Sequence, residues 1–160
     1  MKFSAAFLFF VLLSSATFAG ENSAKKSFDR INNCVKQEDS ASCKNLFTAA
    51  SRSLYERFIS YNLIGCLPKD AEYVSEKKDD DKVIVRASAT DLNKKRFMRL
   101  IFVSEGGRWK LDIPASLQRA MGKNWEKQIE VIEQIYLLMQ AQLGNKLDCK
   151  TIRSLAGANK

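Results

Sequence analysis

"FMRLIFVSEGGRWKLDIP", residues 97–114, decides the fold. Apolar and polar residues alternate up to Glu105, break at Gly106-Gly107, resume at Arg108 and stop at Pro114. A period of two sends successive side chains to opposite faces of a strand. Gly-Gly supplies the positive φ angles of a tight two-residue hairpin. Extending the pattern backwards gives strands at 71–76, 82–90, 95–105 and 108–113, joined by "KKDDD", "DLNK" and "GG". A four-stranded antiparallel meander follows.

Pairing Glu105 with Arg108 and Thr90 with Lys95 sorts the side chains by face. Val83, Val85, Ala87, Met98, Leu100, Phe102, Trp109, Leu111 and Ile113 share an apolar face, which predicts a core with the Trp109 ring buried in it. The second face carries Ile84, Arg86, Ser88, Phe97, Arg99, Ile101, Val103, Lys110 and Asp112. A looser first hairpin adds Tyr73 beside Arg86, so Tyr73, Arg86 and Arg99 form a row with Asp112 diagonal to Arg99. Like charges directly opposite are unfavourable unless an anion lies over them, and guanidinium forks grip carboxylates and phosphates in bidentate fashion. The row is a candidate anion-binding patch. Its plain alternative is a solvated arginine pair, with Asp112 held in a structural ion pair.

Helices flank the sheet. Phe28, Ile31 and Val35 recur at helical spacing, as do Leu46, Phe47, Ala50, Leu54, Phe58 and Tyr61, and "KQEDSA" between them offers Ser40 as an N-cap. These read as an N-terminal helical hairpin. Beyond Pro114, Leu117, Met121, Trp125, Ile129, Ile132, Ile135, Met139 and Leu143 line one stripe of a long C-terminal amphipathic helix that ends near Gly144. Val131, Tyr136 and Leu138 widen its apolar surface, so that half is buried on two sides or meets a partner. A Met and aromatic stripe at this spacing is core rather than a cofactor box. The fold class is α+β.

The first residues read as a leader. Lys2, the apolar run Phe7 to Leu13 and the small residues ending at Ala19 have the three parts of a secretory signal peptide. The run is far shorter than the roughly 20 apolar residues that span a bilayer. Cleavage after Ala19 leaves residues 20–160 as a single domain, exported to the periplasm or beyond, with no lipid-accepting cysteine at Gly20. Removing Lys2 turns 26 basic against 18 acidic residues into 25 against 18, a net charge of +7. Such a surface suits anionic partners, although charge of this size also serves solubility alone. No basic run of the nucleic-acid kind occurs.

Four cysteines in an exported chain predict two disulfides. If the second helix runs unbroken from about Ala41 to Ile64, Cys43 and Cys66 lie roughly 34 Å apart at 1.5 Å per residue and cannot pair. That leaves Cys34 with Cys43 across the hairpin and Cys66 with Cys149 at the tail. A zinc site is the competing reading, but the spacings are wrong and the chain has no histidine.

Two N-terminal helices, a meander, and a late hairpin reading Gly107, Trp109, Lys110, Leu111, Asp112 resemble small exported members of the nuclear-transport-factor-like superfamily, the cystatin-like α+β cone. The resemblance spans about residues 24–113 and implies an α+β cone whose core the tryptophan closes. The helical segment after the sheet departs from that pattern.

Catalytic constellations are scarce. There is no histidine, no G-x-S-x-G elbow and no phosphate loop, and Asp79, Asp80 and Asp81 sit among lysines in a turn. The chain therefore reads as a non-enzymatic binding protein without cofactor or metal. It would hold an apolar or anionic small ligand in a cavity lined by Tyr55, Tyr61 and Trp125, with basic residues at its mouth. The alternative is a protein-interaction factor (accessory, effector or inhibitor) using the exposed sheet face or the C-terminal helix.

Overall fold

The computed structural model describes residues 23–37, 40–61, 70–91 and 94–143. The leader and the Cys66 to Cys149 pairing lie outside the described residues. Helix α1 (Ala24–Gln37) leads to the one-turn helix α2 (Ser40–Cys43), two 3-10 turns (Lys44–Leu46, Ala49–Ser51) and helix α3 (Arg52–Ser60). Strands β1 (Glu72–Asp79), β2 (Lys82–Asp91), β3 (Lys94–Glu105) and β4 (Arg108–Asp112) follow, then helices α4 (Ile113–Met121) and α5 (Trp125–Leu143). The sheet is antiparallel in the order β1-β2-β3-β4, so the α+β class and the meander both hold.

The predicted register of the last three strands holds as well. Glu105 opposes Arg108, Thr90 opposes Lys95, and Gly106 and Gly107 take φ of 63° and 73°. Val83, Val85, Ala87, Phe102 and Leu111 are buried on one face beneath Phe28 of α1, Phe47 and Tyr55. Trp109 packs against this core but is only half-buried, less than the alternation predicts, because it stands in the last pair but one before the hairpin turn.

The first hairpin differs. It is tight, Asp79 pairing with Lys82 across Asp80 and Asp81, and an extra residue at Val74 shifts the register between Tyr73 and Ser75. A bulge of this kind moves the residues beyond it by one position. Tyr73 therefore opposes Ala87 and packs on the core, its ring 6.2 Å from Phe28, while Ser75 stands beside Arg86. The Tyr73 to Arg86 contact predicted from the looser turn is corrected accordingly.

Both predicted long helices are interrupted. Phe47 is extended (φ −107°, ψ 149°) and forms a parallel bridge with Leu111, and the Thr48 N–H donates to the Leu111 carbonyl at 3.1 Å. Ser51 Oγ donates to that carbonyl at 3.2 Å and accepts from the Ile113 N–H at 2.8 Å. Its one proton is then committed, so Thr48 Oγ1 donates across the 2.7 Å contact between the two hydroxyls. The two hydroxyls and the Thr48 N–H thus satisfy the outer groups of β4 at the place where the helical pattern breaks. With the helix broken, the length argument against pairing Cys43 with Cys66 falls away. Cys34 and Cys43 are not bonded to each other: Cys34 Sγ faces Ser42 Oγ at 3.6 Å, and Cys43 is turned into the core.

The second interruption is at Gly122, whose φ of 83° ends α4, with its N–H on the Gln118 carbonyl at 2.8 Å. The long C-terminal helix is thus two helices. On α5 the buried residues are Ile129, Glu133 and Tyr136, whereas Ile132 and Ile135 of the predicted stripe face solvent with Val131 and Leu138.

Candidate anion-binding cleft

The edge of the sheet creates the site. A two-residue turn with both φ positive makes Glu105 and Arg108 a hydrogen-bonded pair, and in an antiparallel ladder such pairs recur at every second residue. Val103 with Lys110 and Ile101 with Asp112 continue the series, and there β4 ends. The Ile101 N–H points outward and donates to Ser116 Oγ at 2.9 Å, which in turn donates to the Asp112 carbonyl at 2.6 Å. The same parity turns the N–H and C=O of Phe97 and Arg99 to the outer edge. Among the described residues these backbone groups have no partner.

Helix α4 packs beside this stretch. Asp112 caps it by accepting from the Ala115 N–H at 3.0 Å, and Pro114 occupies its first turn. Between α4 and β3 lies a cleft of about 600 Å³, lined by Arg86, Phe97, Met98, Arg99 and Leu100 of the sheet and by Ser116, Leu117, Arg119 and Ala120 of the helix. That volume lies in the range of small-ligand sites.

Three guanidinium groups belong to this cleft. Arg86 and Arg99 are direct cross-strand neighbours, and Arg86 lies 4.3 Å over the exposed Phe97 ring, a cation–π contact. Asp112, expected diagonal to Arg99, stands opposite Ile101 and is engaged as the helix cap. Among the described residues no carboxylate lies within ion-pair distance of Arg86, Arg99 or Arg119. Acidic groups elsewhere are used. Glu105 accepts from Lys110 Nζ at 2.8 Å and from the Ala49 N–H at 3.1 Å, and those two bonds hold its carboxyl below the usual range. Burial, then the neighbouring Glu76, raises the Tyr73 phenol.

The three aromatic residues expected to line one pocket are separated. Tyr55 is buried and stacked on Phe47 at 4.3 Å. Tyr61 meets Tyr136 of α5 at 5.6 Å, beside the Arg57–Glu133 ion pair. Trp125 lines a different, smaller cleft of about 350 Å³ with Leu54, Arg57 and Ile129. Of the predicted anion row, Arg86 and Arg99 stand together and Tyr73 does not. Sequence reasoning missed Ser116, Leu117 and Arg119, because the helical stripe drew attention to the face with Leu117 and Met121 and assigned it to the core. The available signal was the early stop of the last strand at Pro114, five residues after Trp109.

Among the described residues no group of three or more His, Cys, Asp or Glu could hold a metal ion, and no helix is long and apolar enough to cross a membrane. No family model matches the chain, and neither a curated protein nor a solved structure is significantly similar to it.

Proposed function

We propose that this is an exported, non-enzymatic binding protein that holds an anionic, partly apolar ligand in the cleft between β3 and α4. One observation carries the reading: three arginines without carboxylate partners among the described residues border a cleft that also offers Phe97, Leu100 and Leu117. Uncompensated arginines that border one cleft favour an anion, and arginine forks favour carboxylate or phosphate. Lys2, the apolar run to Leu13 and Ala19 support export, and the lack of histidine supports binding rather than conversion. The superfamily resemblance belongs to the same proposal, and the packing of Trp109 on the core is in keeping with it.

Calorimetric titration with dodecanoate below its micelle concentration tests the reading. Saturable binding is expected, weakened roughly tenfold, equivalent to about 1.4 kcal/mol, by Arg86→Lys with Arg99→Lys. Unchanged affinity in that variant refutes it. A second reading, a protein-contact surface, is favoured by Val131, Ile132, Ile135 and Leu138 of α5, which are 47–64 % exposed. Ile135→Glu would then abolish partner capture without weakening dodecanoate binding.

A further inference from the structure

We infer that the ligand of this cleft is an extended acidic peptide that adds as a fifth strand to the edge of β3 that no described strand pairs. The inference rests on the anion-binding reading above and names its ligand class. Phe97 and Arg99 offer outward N–H and C=O groups two residues apart, a spacing of roughly 6.8 Å along a strand. Edge groups of this kind are satisfied by the backbone of an added strand, the mode of β-augmentation. A small amphiphile would neutralise the arginines and leave those groups to water. The wall opposite the edge is α4, with Leu117 and Arg119, so the site is a groove rather than an open margin.

Alternation specifies the sequence the groove takes. Residues of an added strand on the side of Arg86 and Arg99 meet guanidinium groups, and those on the other side meet Met98 and Leu100. The complementary peptide therefore alternates acidic and apolar residues. A second copy of β3 is a poor occupant, because it would bring a second set of Lys94, Lys95, Arg96 and Arg99 to an edge that already carries them.

The test is fluorescence anisotropy with labelled Val-Glu-Val-Glu-Val-Glu, a block-ordered peptide of the same composition, and two versions of the first N-methylated at alternate residues of opposite parity. An added strand turns only one parity of amides to β3. The alternating peptide is expected to bind, to compete with dodecanoate, and to lose about tenfold in affinity on N-methylation of one parity only, because only that parity donates to and accepts from β3. Arg99→Lys with Arg119→Lys is expected to weaken it as well. Equal binding of all four peptides overturns strand addition and leaves charge alone. Dodecanoate binding with no peptide binding overturns the peptide and keeps the small-anion site, whereas failure of both probes overturns the two readings together. Dimerisation through β3 that the peptide cannot displace makes a second copy the occupant and overturns the inference.

Discussion

The two halves of β3 have the same neighbour on one side and different neighbours on the other. β2 pairs with the strand from Lys94 to Val103, all but its last two residues. β4 covers only Ile101 to Glu105, and in that half Ile101 and Phe102 are buried. The first half, with Lys94, Lys95, Arg96 and Arg99, has no β4 beside it and keeps Phe97 55 % exposed. One strand is thus core at one end and, at the other, a basic edge that no described strand pairs and that faces the groove beside α4, and the length of its outer neighbour decides which. β4 is five residues long because Asp112 turns from strand residue to helix cap, with Pro114 behind it.

Substitutions in the two halves should differ most sharply in stability. Phe102→Ala removes a ring with no exposure and is expected to lower urea-unfolding stability by about 3–5 kcal/mol, whereas Phe97→Ala should change it by less than about 1 kcal/mol. Similar losses at the two positions would erase the distinction. Next in size is Ser51→Ala, which leaves the outer groups of the covered half, the Leu111 carbonyl and the Ile113 N–H, short of a partner. A loss of about 1–3 kcal/mol is expected. In the open half, Arg86→Lys with Arg99→Lys should shift stability by no more than about 0.5 kcal/mol while binding falls.

The smallest effect is a pH dependence at the hairpin that closes the covered half. Glu105 titrates below its unfolded value because Lys110 and the Ala49 N–H stabilise the carboxylate. Its stabilising contribution is present above the unfolded pKa and disappears as pH falls through the lower folded value. The stability advantage of the native chain over Glu105→Gln should therefore persist at neutral pH and decline progressively once the pH falls below the unfolded glutamate value of about 4.3. An advantage that grows on acidification contradicts the assignment.

How far these contrasts were legible in the sequence follows from the range of each interaction. The register of β2, β3 and β4 is written in short turns and strict alternation, so the core face and the Arg86–Arg99 pair could be read directly. Tyr73 was misplaced because a single bulge residue, Val74, has no signature of its own and reverses everything beyond it. Phe47 was read as helix because its spacing to Leu54 and Phe58 is helical. The Leu111 carbonyl that draws Thr48 and Ser51 out of the helix lies 60 residues from Ser51. Gly122 lies inside a periodic apolar stripe that hides it in the sequence, although its positive φ is what ends α4. Arg119 joined the cleft only once α4 stood beside β3.

Amide hydrogen exchange along β3 of the unliganded protein tests the central claim, that the first half of this strand is an open edge. Inward amides at Met98, Leu100 and Phe102, bonded to β2, should exchange slowly, as should Ile101 on Ser116 Oγ and Val103 on β4. The amides of Phe97 and Arg99 should exchange faster than their even-numbered neighbours, by roughly the factor that separates exposed from core hydrogen bonds. Uniform slow exchange from Phe97 to Val103 would mean that the edge is already occupied, and would contradict the account.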